Sequence, residues 1–266
     1  MIKGNNPMSE ILKKALERVD YGETIAIITI IDTKGSTPGV KGAKMAVGKD
    51  GLISGTIGGG KIEAKVIERA KECIKKGYKQ SLHYHLTKKE TELNNEIICG
   101  GELTVFIDIL KPKENIIIFG AGHIAYYLSK IVKIMEISVS VIDEREDFAN
   151  RERFPEAEKI INEKPVTAFN KLTINSSTYV VIVTKGHQHD EEALLSVINQ
   201  NIGYIGMIGS KTKNEVIFQH LREKGITEEK IKKIYTPIGI NIGAQTPEEI
   251  AVSIIAEIIQ IKRNKA

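Results

Sequence analysis

The sequence predicts an α/β protein in two parts, a C-terminal Rossmann-like parallel-sheet domain preceded by a smaller α+β domain. Three observations carry this. The apolar run 116–119 enters Gly120-Ala121-Gly122-His123-Ile124-Ala125, a G-x-G-x-x-A turn that opens an amphipathic stretch. That order of strand, glycine turn and helix is what a mononucleotide-binding βαβ unit needs. Beyond it, apolar runs alternate with helical patterns, which argues for a parallel sheet with helices on both faces. Before it lie β-branched runs and glycine clusters of a separate kind. The polar, proline-bearing Lys111-Pro112-Lys113-Glu114-Asn115 marks the boundary, so the expected domains are 1–111 and 112–266.

In the first domain, residues 9–19 place Ile11, Leu12, Ala15, Leu16 and Val19 on one helical face, with Ser9 as the expected N-cap. Residues 23–32 form a β-branched run suited to a buried strand. Glycine and proline make 33–42 a loop. Two short strands follow around Lys49-Asp50-Gly51, and the second ends in Gly55-Thr56-Ile57-Gly58-Gly59-Gly60. A helix is expected over 62–75, then strands near 82–86 and 103–110. In the second domain the pattern reads strand 116–119, helix 122–133, strand 137–142, strand 179–183, helix 190–200, strand 204–208 and helix 213–224. The last helix has the clearest start. Thr246-Pro247-Glu248-Glu249 combines an N-cap, proline at the first helical position and a glutamate that completes a capping box.

Composition narrows the function classes. The 266 residues are 41% apolar and 27% charged, as in a soluble globular protein. The net charge of +4 comes from lysines scattered among glutamates, without the clustered basic face that nucleic-acid binding needs. No signal peptide is read, and the apolar runs 25–31 and 179–183 are strand-length, so no membrane span and a cytoplasmic location are expected. Two cysteines, Cys73 and Cys99, are too few for a disulfide framework or a four-cysteine metal site.

Several glycine-rich turns are candidate sites. Gly120 and Gly122 would bring backbone to a pyrophosphate at a helix N-terminus, with His123 beside it. Asp143, at the end of the next strand, stands where an acceptor for a ribose 2′-hydroxyl belongs. Arg145, two residues on, is placed to accept a 2′-phosphate, which leaves NAD against NADP open. Gly58, Gly59 and Gly60, with Lys61 beside them, form an expected backbone nest for a phosphate, against the simpler reading of a flexible turn.

Cys99 is followed by Gly100 and Gly101. The glycines admit a bulky ligand, and a thiolate suits a transition metal, against the alternative of a small buried hydrophobe. Cys73, mid-helix, reads as packing. Gly186-His187-Gln188-His189-Asp190 follows a strand at the sheet's ligand edge, where the histidines are candidates for proton transfer or a metal, or are simply solvated. Ser210 and Lys211 open a helix and are placed to meet a phosphate, or Ser210 merely caps. His83 and His85, two apart on one strand face, read as ordinary strand residues.

Taken in order, Gly35-Ser36-Thr37-Pro38, Gly42-Ala43-Lys44-Met45, Gly55-Thr56-Ile57-Gly58-Gly59-Gly60, Cys99-Gly100-Gly101, Phe119-Gly120-Ala121-Gly122-His123, Gly206-Met207-Ile208-Gly209-Ser210-Lys211, Pro237-Ile238-Gly239 and Thr246-Pro247-Glu248-Glu249-Ile250-Ala251 resemble the XdhC/CoxI family of xanthine dehydrogenase accessory proteins. The resemblance spans nearly the whole chain. It implies a chaperone that binds the molybdenum cofactor (molybdopterin), favours its sulfuration and hands it to an apo molybdenum hydroxylase. It also implies a cysteine desulfurase as partner and self-association as a homodimer. Lys61 stands where the family commonly has cysteine, which leaves Cys99 as the matched thiol.

The rival reading is an NAD(P)-dependent oxidoreductase acting on a small substrate, for which His123, His187 and His189 are the candidate acids or bases. Xanthine dehydrogenase itself is excluded, because two plant-type iron–sulfur clusters need far more thiolates than this chain carries.

Overall fold

The computed structural model describes residues 7–86 and 100–264. The chain divides into two units, one ending at Pro112 and the other spanning Lys113–Lys265.

The first described element of the first unit is α1 (Pro7–Asp20), so the helix starts three residues earlier than the Ser9 cap predicts. Among the described residues five strands follow: β1 (Ile25–Lys34), β2 (Lys44–Gly48), β3 (Gly51–Gly55), β4 (Gln80–His85) and β5 (Glu102–Leu110), with α2 (Gly60–Lys76) between β3 and β4. They form one antiparallel sheet in the order β3-β2-β1-β5-β4. Alternation decides which side chain meets which helix. Ala26, Ile28 and Ile30 of β1 pack with Val66, Ala70 and Cys73 of α2. Ile25 and Ile27 turn to the other face and meet Ile11, Ala15 and Val19 of α1. A central strand covered on both faces explains why β1 is a continuous apolar run rather than an alternating one. Cys73 is fully buried in this packing.

The second unit contains β6 (Asn115–Phe119), α3 (His123–Ile134), β7 (Ser138–Ile142), β8 (Lys159–Ile161), α4 (Pro165–Ala168), β9 (Thr178–Ile182), α5 (His187–Val197), β10 (Tyr204–Met207), α6 (Lys211–Glu223), α7 (Glu228–Ile231), β11 (Ile234–Tyr235) and α8 (Pro247–Asn264). Its six strands are all parallel, in the order β8-β7-β6-β9-β10-β11. This is the doubly wound Rossmann order, with the reversal between β6 and β9. Ile116 and Ile118 pack toward α3 and α8, while Ile117 and Phe119 pack toward α5 and α6. Each of these fully buried side chains contributes about 1.5–3 kcal/mol by leaving water. The capping box of α8 is formed: Thr246 Oγ1 accepts from the Glu249 N–H at 3.3 Å, and Glu249 accepts from the Thr246 N–H at 3.1 Å. Among the described residues, no helix is long and apolar enough to cross a membrane.

Candidate functional site

In the second unit the crevice at the strand reversal is built by Gly120. Its φ is +102°, and a Cβ there would lie 2.4 Å from the Val183 carbonyl oxygen. The ends of β6 and β9 therefore approach as only glycine permits. Gly122 is the N-cap of α3 and supplies no side-chain cap, while a Cβ there would meet no described atom. A cleft of about 180 Å³ opens at these strand ends, lined among others by Gly120, Asp143, Arg145, Lys164, Thr184 and His189.

Asp143 is tied into the cleft wall. One carboxylate oxygen accepts the Ala121 N–H at 2.8 Å and an Arg145 Nη2–H at 2.7 Å. The other accepts the Arg145 backbone N–H at 3.1 Å and its Nε–H at 2.9 Å. Burial pushes this carboxyl up, but the bonds from Arg145 and Ala121 outweigh it and hold the group below its ordinary value. The Arg145 guanidinium also lies 4.1 Å from the centre of the Phe148 ring. From the other side, Arg153 Nη1 donates to the carbonyls of Ala121 and Phe148, each at 2.9 Å, so the glycine turn is clamped at both its N–H and its C=O.

The two histidines after β9 go to different places. Gly186, at φ +115°, is the N-cap of α5, so the helix begins at His187 rather than at residue 190. Two residues apart in a helix means about 200° of rotation. His189 consequently lines the Asp143 cleft, 3.7 Å from Glu144 and 3.7 Å from Glu192, whereas His187 lines a separate groove with Val216, Ile217 and His220 of α6. Asp190 is buried and accepts a 2.6 Å bond from Thr184 Oγ1. Burial, the largest influence, keeps its carboxyl above the ordinary value despite that bond and the nearby histidines. Ser210 caps α6, accepting from the Lys213 N–H at 3.4 Å, and His123 is exposed at the start of α3.

In the first unit the glycine motifs converge on the loop after β1. A Cβ on Gly39 would lie 2.1 Å from the Ile57 carbonyl oxygen, and one on Gly58 would lie 2.4 Å from the Pro38 carbonyl carbon. A Cβ on Gly101 would lie 2.3 Å from the Ser36 carbonyl oxygen. The Gly35-Ser36-Thr37-Pro38-Gly39 loop is thus packed backbone to backbone against both Gly58 and Gly101. Gly59, Gly60 and Gly100, by contrast, meet no described atom where a side chain would stand. Cys99, the thiol singled out from the sequence, lies outside the described residues.

The Gly58–Gly60 turn already holds an anion of the chain's own. Glu63 Oε2 accepts the Ile57 N–H at 2.9 Å, the Gly59 N–H at 3.1 Å and the Thr56 hydroxyl. Burial pushes Glu63 up, and these three bonds more than offset it, leaving the carboxyl below its ordinary value. Sequence reasoning singled out the glycines and missed the carboxylate that reaches back to them. Its signal was the position of Glu63, one helical turn after Gly59, where an acidic side chain folds back on a helix start. Lys61 is exposed beside it.

A second cluster lies on β4 and β5. His83 and His85 point to the same side, and Glu102 pairs across from His85. Glu102 is 3.8 Å from His83 Nε2 and 3.5 Å from His85 Nδ1, and His83 Nδ1 lies 2.8 Å from the Thr104 hydroxyl.

Comparison with known proteins fits this architecture. Residues 116–258 match the model of the XdhC Rossmann domain. The chain belongs to the XdhC and CoxI family. Residues 19–85 match the model described as the XdhC and CoxI family itself. Among curated relatives, Escherichia coli YqeB is 35% identical over 90% of this chain and 44% of its own length. A Bacillus subtilis protein, described as a probable subunit of xanthine dehydrogenase, is 32% identical over 61% of this chain and 47% of its own. The chain thus spans less than half the length of these two relatives. The E. coli molybdenum cofactor insertion chaperone PaoD is 19% identical over 95% of this chain and 88% of its own. A crystal structure from Bacillus halodurans, described as a xanthine dehydrogenase, shares the fold with a TM-score of 0.53 at 23% identity, covering 92% of this chain and 93% of that one.

Proposed function

We propose that this XdhC/CoxI-family protein binds the molybdenum cofactor through its first unit and assists its sulfuration and insertion into a xanthine dehydrogenase-type hydroxylase. The observation that carries the reading is the convergence of the loop at Gly35–Gly39 with Gly58 and Gly101, which leaves Gly59, Gly60 and Gly100 open on their side-chain faces. Open glycine backbone beside a helix N-terminus suits a large ligand with an anionic phosphate. The family, and the name of the insertion chaperone PaoD, give that ligand its class. The Glu63 carboxylate holds the Gly59 N–H, one of the groups that a phosphate would take, so full use of the nest requires Glu63 to release it. The cofactor is cargo: the protein supplies the cradle, with Lys61 as an added point charge and Cys99 as the thiol toward the metal. An apo-hydroxylase, a cysteine desulfurase and a second copy of the chain are the proposed partners. The test is release of pterin from protein purified from a molybdenum-replete host, read as fluorescence after oxidation. Roughly stoichiometric pterin supports the reading, and its absence from freshly purified, anaerobic protein counts against it.

The second unit favours a companion reading, the binding of a nicotinamide dinucleotide. Its support is Gly120 at the strand reversal, Gly122 at an uncapped helix start and Asp143 and Arg145 at the end of β7. A redox step on a small substrate would draw on His189, the histidine facing that cleft, with Glu144 and Glu192 beside it. Titration calorimetry with NAD(H) and NADP(H) tests this independently of pterin content.

A further inference from the structure

We propose that His83, His85 and Glu102 form a binding site for a divalent transition-metal ion on the outward face of β4 and β5. The three donors lie within 4.8 Å of one another. Their placement follows from the sheet. Leu82 and Tyr84 turn toward the α2 side of the sheet, which sends His83 and His85 to the opposite face. The antiparallel register then sets Glu102 directly across from His85, and Thr104 across from His83. Backbone pairing, rather than a loop, holds the three positions.

The distances suit a metal. Bonds of about 2.0–2.2 Å to nitrogen and oxygen place neighbouring ligand atoms about 3–3.5 Å apart. Glu102 Oε2 lies 3.8 Å from His83 Nε2 and Oε1 lies 3.5 Å from His85 Nδ1, so side-chain rotations would bring one or both oxygens and the two rings toward that range. The Thr104 hydroxyl, 2.8 Å from His83 Nδ1, leaves Nε2 as the nitrogen offered to the ion. A polar partner on the second ring nitrogen is what ligating histidines ordinarily have. Two imidazoles and one carboxylate suit Zn²⁺, Ni²⁺, Cu²⁺ or Fe²⁺, and offer too few oxygens for Ca²⁺. Three protein ligands leave further positions for water or an incoming group. Lys34 Nζ lies 3.6 Å from Glu102 Oε2 and is the cation that the metal would displace.

This inference stands apart from the proposed cofactor binding, and its test needs no pterin. Chelator-treated full-length protein is titrated calorimetrically with Zn²⁺. A single ion should bind in the micromolar range. His83→Ala, His85→Ala and Glu102→Gln should each weaken it at least tenfold, and Thr104→Val about tenfold or more. Lys34→Met should tighten binding severalfold, a gain that a purely structural role for the cluster would not produce. Thermal melts of the metal-free variants should match the parent, because all substituted side chains are at least partly exposed. Zn²⁺ affinity unaffected by the His83, His85 and Glu102 substitutions, or no binding below millimolar Zn²⁺, would overturn the site.

Discussion

Arg145 donates to both carboxylate oxygens of Asp143, and together with the Ala121 N–H it fills all four of that carboxylate's acceptor positions. Under the dinucleotide reading, a ribose hydroxyl would reach Asp143 only by displacing one of these donors, three of which belong to Arg145, whereas a 2′-phosphate would recruit Arg145 itself.

This relationship makes Arg145 a selector under the dinucleotide reading. Arg145→Ala should raise affinity for NAD(H) and lower it for NADP(H), shifting the ratio by about tenfold or more, since one hydrogen bond to a charged group contributes about 1.5–3 kcal/mol. Calorimetry with both cofactors reads the ratio. Equal shifts for the two would remove Arg145 from ligand recognition.

The same pair gives the fold an acid dependence. Asp143 titrates below its ordinary 3.8 in the folded chain, so the unfolded chain takes up the proton first as pH falls. Its contribution is complete above about pH 5 and is lost as pH drops through the depressed folded value. Asp143→Asn should accordingly lower stability at pH 7 and have a progressively smaller effect toward pH 3. Denaturant unfolding across that range checks the slope, and a pH-independent difference would mean that the carboxylate's charge is irrelevant.

The glycines of the first unit should differ sharply in tolerance. Gly58 has φ +116° with Pro38 against it, so Gly58→Ala must move backbone and should cost more than about 2 kcal/mol. Gly60 has φ +68° and open space, so Gly60→Ala should cost only about 1 kcal/mol, the ordinary penalty of a left-handed residue. Chemical denaturation of the two variants separates close packing from mere backbone freedom.

These cases show which parts of the molecule the chain displays locally. The Rossmann unit is legible because its signals are contiguous: the run 116–119, Gly120, Gly122 and the Thr246-Pro247-Glu248-Glu249 box each report a local geometry. The early start of α5 is not, because Gly186 can be read as a loop glycine until its role as N-cap is seen, and with it the divergence of His187 from His189. The Glu102 partnership of His83 and His85 depends on strand register across a long sequence separation, which no local pattern encodes. Glu63 reads as an ordinary helix glutamate until the folded turn brings three donors to it. Short elements such as β8, α4, α7 and β11 carry too few residues for a periodic signal.

The central claim is that the first unit carries the molybdenum cofactor with its metal toward Cys99, and pterin content across two cysteine variants tests it most directly. Cys73 is sealed between α2 and the sheet, so Cys73→Ala should lower thermal stability modestly and leave bound pterin near the parent level. Cys99→Ser should leave the melting temperature and any NAD affinity unchanged, while pterin retention and activation of an apo-hydroxylase fall at least tenfold. If Cys99→Ser protein retains and transfers the cofactor as the parent does, or if both variants lose it in proportion to lost stability, the claim is contradicted.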